Sequence, residues 1–267
     1  MSVNYDFTGK VALITGSSSG IGAGIAQLFA KSGANVVVTG LDSDGVSKVA
    51  KQCTAVSPKQ LPALEVVGDL TVEEDCNRLI DTTVQTYGKI DILVNNAGMD
   101  KFANITDDGY YENFQNIIQT NLYSVVYLTH KCVPYLAKTR GNIINISDIG
   151  SEITISDSSA YCMSKAGLDM FTQCMAAELG PKHHIRVNSV NPGAVISNLL
   201  TNMGLPETVI DNMYAEVGHK YPVGRIGQPE DIANTVAYLA SNTAAGFLTG
   251  STVLVDGGHL AANVNVD

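Results

Sequence analysis

Residues 11–31 read VALITGSSSGIGAGIAQLFAK, and the fold can be read outward from them. Val11–Ile14 is a short unbroken apolar run, the pattern of a strand buried on both faces. From Gly20 to Lys31, Ile21, Ile25, Leu28 and Phe29 recur at helical spacing. Between the two lies a glycine-rich turn, Thr15-Gly16-Ser17-Ser18-Ser19-Gly20-Ile21-Gly22. Glycines let a backbone turn tightly and approach a ligand. The helix that starts there offers free N–H groups and a positive dipole end to a phosphate. The spacing is G-x-x-x-G-x-G, which differs from the G-x-G-x-x-G of the usual dinucleotide fingerprint. Its place after the first strand still reads as a nucleotide site.

The alternation continues along the chain. Asn35–Thr39, Leu64–Val67, Ile90–Val94, Asn142–Ser147, Ile185–Val190 and Ser251–Val255 read as further strands. Helices are expected over residues 43–56, from Thr71 to about Thr86, Tyr110 to about Ala137, Asp157 to Leu179, and Pro229 to about Ala240. Thr71, with Glu74 three residues on, is the expected N-cap of its helix. Residues 194–222 are less regular. Continuous apolar strands alternating with helices belong to a parallel sheet covered on both faces. No repeat or linker interrupts the pattern, so residues 1–267 are read as one doubly wound, Rossmann-type α/β domain.

Composition excludes several classes. A net charge of -10 argues against nucleic acid and anionic membrane as main partners. No apolar run is long enough to span a bilayer, and MSVNYDFTGK has no secretory pattern, so a cytoplasmic location is expected. Five cysteines without a C-x-x-C fit reduced thiols. No metal site is expected, because His183 and His184 are adjacent and no Cys or Asp cluster joins them.

The second informative stretch is Asn142–Lys165, NIINISDIGSEITISDSSAYCMSK. It runs from a strand through a polar loop into a helix carrying Tyr161 and Lys165, four residues apart and so on one face. An ammonium beside a phenol favours the phenolate, which makes Tyr161 a candidate general acid/base.

Four motifs occur in order: Thr15-Gly16-x3-Gly20-x-Gly22, Asn95-Asn96-Ala97-Gly98, Tyr161-x3-Lys165 and Asn191-Pro192-Gly193. Over nearly its whole length the chain resembles the short-chain dehydrogenase/reductase family, and within it the 3-oxoacyl-carrier-protein-reductase-like branch. The resemblance implies a seven-stranded parallel Rossmann sheet, a homotetramer or dimer, and a bound nicotinamide dinucleotide. Tyr161 would exchange a proton with a ketone or secondary alcohol. Lys165 would lower the tyrosine's pKa and hold the nicotinamide ribose, and Asn121 would extend a proton relay. Gly16, Ser17, Ser19, Gly20, Ile21 and Gly22 would surround the pyrophosphate and adenosine ribose. Asp69 and Leu70 would meet the adenine, and Asn96, Ala97 and Gly98 would line the floor. Pro192, Gly193, Val195 and Ser197 would hold the carboxamide. The segment 194–222 would lid an apolar substrate pocket, and the helices at 110–137 and 157–179 would pack against other subunits.

Three positions depart from the family pattern. Gly40 stands where NAD-preferring relatives carry an acid, and Leu41 where many NADP-preferring relatives carry an arginine. Gly40 leaves room, and Ser17, Ser19 and Thr39 are candidate phosphate donors, so NADP(H) is favoured over NAD(H). The family's substrate-binding serine, thirteen residues before the tyrosine, falls on Asp148. Strand alternation turns Ser147 to the opposite face. Three readings stay open: a protonated Asp148 donates to the carbonyl; a local shift brings in Ser147 or Ser151; or catalysis is impaired, leaving a dinucleotide-binding sensor or scaffold.

Overall fold

The structure, a computed structural model, describes residues 4–264. Seven parallel strands form one sheet: β1 (Val11–Ile14), β2 (Asn35–Gly40), β3 (Leu64–Val67), β4 (Ile92–Asn95), β5 (Asn142–Ile146), β6 (Arg186–Pro192) and β7 (Thr252–Val255). Their order is β3-β2-β1-β4-β5-β6-β7. Strand alternation divides the core in two. Ala12, Ile14, Val36, Val38, Ile92, Val94, Ile144 and Ile146 face one layer, with helices α1 (Gly20–Lys31), α2 (Ser43–Val56) and α9 (Pro229–Ala240). Val11, Leu13, Val37, Leu93, Ile143 and Val187 face the other, with α3 (Glu73–Tyr87), α5 (Ser124–Thr139) and α6 (Ser159–His183). The expected Rossmann-type doubly wound sheet is the fold observed.

Local details differ from the sequence reading. The helix expected from Tyr110 to Ala137 is not continuous. It runs as α4 (Tyr110–Ile118), a wider π turn over Gln119–Tyr123, and then α5. Thr71 is not an N-cap. Its N–H and hydroxyl both donate to Asp69 Oδ1, and α3 starts two residues later with Glu73, Glu74 and Asp75 in its first turn. Acids there complement the helix dipole without a hydroxyl cap. The segment 194–222 contains two helices, α7 (Leu199–Asn202) and α8 (Glu207–Lys220). A last short helix, α10, covers His259–Ala262.

Register brings the functional segments to one edge. Ile14 pairs with both Val38 and Val94, and Asn95 with Asn145. The strand order reverses between β1 and β4, so the glycine turn and the Asn95–Gly98 loop leave the sheet side by side. That crevice, beyond the carboxyl ends of the strands, is where open α/β sheets bind ligands.

Candidate active site

A cleft of about 2060 Å³ opens along this edge. Its nucleotide side is built by the glycine turn. Gly16 and Gly20 have φ values of +60° and +54°, which strain other residues. A Cβ at Gly16 would lie 2.8 Å from Ala97 Cα. One at Gly22 would collide with the Gly16 carbonyl and the Asn96 amide. Gly22 therefore allows close packing beneath the turn, and it does not line the cleft. Asn96 braces the turn from below, donating from Nδ2 to the Thr15 and Gly16 carbonyls (2.9 and 3.1 Å).

The start of α1 is open. Its N-cap, Ser19, makes no side-chain cap and no acid stands in the first turn, whereas α2 is capped by the Asp42 carboxylate. Uncapped N–H groups at a glycine turn suit a pyrophosphate. Gly16, Ser19, Gly20, Ile21, Gly40, Leu41, Asp69, Leu70, Asn96, Ala97, Gly98, Pro192, Gly193, Val195 and Ser197 all line the cleft.

Ser17 does not. It is buried, donates from Oγ to the Ile14 carbonyl at 2.7 Å and accepts from Thr39 N at 3.0 Å, so its hydroxyl ties β1 to β2. Ser18 faces the cleft beside Ser19, and the sequence reading missed it. At Gly40 a Cβ would lie 2.5 Å from Ser18 Oγ, so a side chain there would require the Ser18 hydroxyl to turn aside. Asp42 is occupied by the Asp44 and Gly45 N–H groups, and Lys48 of α2 supplies a cation on this rim.

At the chemical end, Tyr161 and Lys165 leave α6 together. Lys165 Nζ donates to the Ile146 carbonyl at 2.9 Å and sits 5.3 Å from the centre of the Tyr161 ring. Asn121 lies in the π turn and clamps Met99 from both sides, accepting from its N–H and donating to its carbonyl, each at 2.8 Å. Asn121 Oδ1 and Lys165 Nζ flank Gly98, lying 3.4 and 3.5 Å from where a Cβ would stand.

Asp148 is the side chain paired with the Tyr161 hydroxyl. It also accepts from Gly150 N at 2.7 Å, starting a short 3-10 turn. Ser147 Oγ turns away and donates to the Lys165 carbonyl at 3.2 Å, as strand alternation requires. Ser151 Oγ accepts from Asn191 Nδ2 at 2.9 Å. Neither serine hydroxyl replaces Asp148 beside the tyrosine.

Burial dominates the electrostatics. It pushes the Asp148 carboxyl up to about 6, against the Gly150 hydrogen bond and Lys165, which pull it down. Burial, then the charges of Asp148 and Asp100, hold the Tyr161 phenol well above its usual value. The shift is opposite in sign to the lowering expected from Lys165. The lysine is itself depressed by burial, partly offset by Asp148, Asp169 and Asp100. Asp100, raised mainly by burial, accepts from Ser158 Oγ at 2.9 Å. It is a second carboxyl acting on the Tyr161 phenol, and the sequence reading overlooked it. Its signal was an acid two residues beyond the Asn95–Gly98 motif.

An open helix start at a glycine turn, opposite a buried Tyr–Lys pair, is the site of a dinucleotide-dependent oxidoreductase class. Comparison with known proteins agrees. Residues 16–259 match the family model described as enoyl-(acyl carrier protein) reductase. The chain is 35% identical over 254 residues to a cyclohexanol dehydrogenase from Acinetobacter sp., covering 95% of this chain and 96% of that one. It is 34% identical over 251 residues to a Thermotoga maritima 3-oxoacyl-[acyl-carrier-protein] reductase, covering 94% and 97%. A Caenorhabditis elegans short-chain dehydrogenase/reductase, solved with cofactor, superposes with a TM-score of 0.89 at 35% identity over 96% of each chain. The chain belongs to the short-chain dehydrogenase/reductase family and is an oxidoreductase of that family. No helix among its described residues is long and apolar enough to cross a membrane.

Proposed function

We propose that this protein interconverts a ketone and a secondary alcohol with a nicotinamide dinucleotide. The observation that carries this is the Tyr161–Lys165 pair facing the cleft that the glycine turn opens. When bound, the dinucleotide supplies or accepts the hydride. Gly16, Ser18, Ser19 and the open start of α1 fit the pyrophosphate. Leu41, Asp69 and Leu70 fit the adenosine end. Val195 N–H, which has no protein acceptor among the described residues, fits the carboxamide. NADP(H) is favoured over NAD(H): position 40 holds no acid, and the Ser18 hydroxyl and Lys48 ammonium stand on that rim. Comparing KM for NADPH and NADH tests the choice.

Tyr161 gives its hydroxyl proton to the carbonyl oxygen during reduction and takes it back during oxidation. Lys165, anchored on Ile146, holds the nicotinamide ribose. Asn121 fixes the Met99 backbone beside the lysine and continues the proton path. Protonated Asp148 donates to the reacting oxygen; ionised, it would draw the Tyr161 proton toward itself and repel a developing oxyanion. Carbonyl reduction is therefore expected to fall as pH rises through about 6. Asp148→Ser should abolish that fall and raise turnover at pH 7.5, and Tyr161→Phe should lower kcat by about 10²–10⁴-fold. If Asp148→Ser leaves the pH–rate profile and turnover unchanged, Asp148 has no part in the chemistry.

The segment 194–222 lids a pocket whose apolar wall includes Phe102, Ile149, Ile153, Leu199, Leu200 and Met213. A substrate with a hydrophobic body fits it. A cytoplasmic homotetramer is the proposed setting. The Asp148–Tyr161 pairing also favours a second reading, a dinucleotide-binding sensor or scaffold without useful turnover. NADPH binding with no turnover across a carbonyl panel would select it.

A further inference from the structure

The loop 193–197 commits nearly all its backbone donors to the protein. Gly193 N–H goes to the Val255 carbonyl (3.1 Å) and Ile196 N–H to Gly227 (3.0 Å). Ala194 N–H goes to the Tyr221 hydroxyl (2.8 Å) and Ser197 N–H to the Tyr214 hydroxyl (3.4 Å). Two of these four acceptors are tyrosines from α8 and its end, and they bracket Val195. Tyr221 is buried, and its hydroxyl meets Nδ1 of the buried His259 at 3.2 Å, with the two rings edge to face. A phenol has one proton to give. The Tyr221 oxygen accepts from Ala194, and His259 Nδ1 is the one acceptor in reach of the phenol's proton among the described residues; a Tyr221 proton not given to that nitrogen would be buried without a partner, so Nδ1 is bare. This hydrogen-bond pattern assigns a neutral imidazole with its proton on the other nitrogen.

We propose that Tyr221 and His259 are positioning residues for the nicotinamide end of the cofactor. The chain from Ala194 through Tyr221 to His259 sets where the Val195 N–H points, and dinucleotide affinity follows the protonation state of His259. The inference rests on the reading that Val195 meets the carboxamide. Protonating His259 turns Nδ1 into a donor, and the buried Tyr221 proton loses its acceptor. Burial lowers the imidazole's pKa, opposed by Asp256 and by a hydrogen bond to the Val264 backbone. The surrounding charged groups are already engaged. Asp256 accepts from the Gly258 and Leu260 N–H groups, Lys220 pairs with Glu216 at 2.8 Å, and Asp148 pairs with Tyr161. The neutral form dominates above the His259 pKa. Affinity is therefore complete at neutral pH and lost as pH falls through a value below 6.5.

Fluorescence titration with NADPH and with NADH between pH 5 and 8 tests this, with melting temperatures confirming that each variant is folded. Tyr221→Phe and His259→Leu should weaken binding about three- to tenfold at pH 7.5, the value of one hydrogen bond. His259→Asn places an amide oxygen near the position of Nδ1. It should restore affinity and remove the acid loss. Full affinity in both Tyr221→Phe and His259→Leu would overturn the proposal, as would an acid loss that persists in His259→Asn. If the unaltered protein binds neither dinucleotide, it is the underlying cofactor reading that fails.

Discussion

Asp148 is a carboxyl placed where ionisation is costly. Its folded-state pKa of about 6 lies above the ordinary 3.8, so folding favours the protonated form. The associated stability is fully present below pH 4 and is lost as pH rises through 6. By linkage the cost at pH 8 is at most about 3 kcal/mol, since each pKa unit is worth about 1.4 kcal/mol. Asp148→Asn should therefore raise the unfolding free energy at pH 8 by about 1–3 kcal/mol and leave it unchanged at pH 4. Denaturant melts at the two pH values check this, and equal effects at both would sink it. The position was legible as an anomaly by counting back from Tyr161, and alternation along a strand excluded Ser147. The pairing with Tyr161 and the upward shift of the phenol were not legible, because both depend on burial and on Asp100, 61 residues before the tyrosine (161 − 100).

Among the elements, the glycine turn was readable as a motif but not in its detail. Three serines in a row look equivalent in sequence. The path of the turn sends Ser17 inward to Ile14 and Thr39 and leaves Ser18 toward the cleft. Gly22→Ala would drive a methyl into the Gly16 carbonyl and the Asn96 amide. It should abolish measurable dinucleotide binding and cost about 1–3 kcal/mol of stability; normal binding would show that the turn yields more easily than its packing implies. The π turn in the long helix was also hidden, because residues 110–139 keep helical periodicity through it. Its cause is visible only in space. The extra residue turns the Asn121 side chain onto both backbone groups of Met99. Asn121→Ala removes these bonds and should lower kcat and melting temperature together. The Tyr221–His259 contact joins residues 38 positions apart and left no local signal.

At the scale of the whole molecule, the fold was legible because each strand is an unbroken apolar run and each connection is long enough for a helix. Edge strands were the weakest signal: β3 and β7 are partly exposed, yet they pair in register with β2 and β6. Large apolar side chains also remain on the surface, among them Tyr111, Tyr123, Met163 and Met170 on the α4–α6 side and Phe247 near β7. The first four lie on the helices proposed to pack against other subunits in a homotetramer. Sedimentation should give four subunits for the unaltered protein, and Met170→Glu should lower that number; a monomer at micromolar concentration would exclude the assembly.

The strand order carries a consequence for how the chain is made. No hairpin occurs in the sheet, and every pairing waits for a crossover to be synthesised. The central pair, β1 with β4, is the most delayed: the bond from Val11 N–H to the Asp91 carboxylate spans 80 positions. Until β4 leaves the ribosome, β1 can pair only with β2, and the edge that will face β4 stays open. The nascent protein thus passes through a stage in which the nucleotide turn has formed on one side and has no floor on the other.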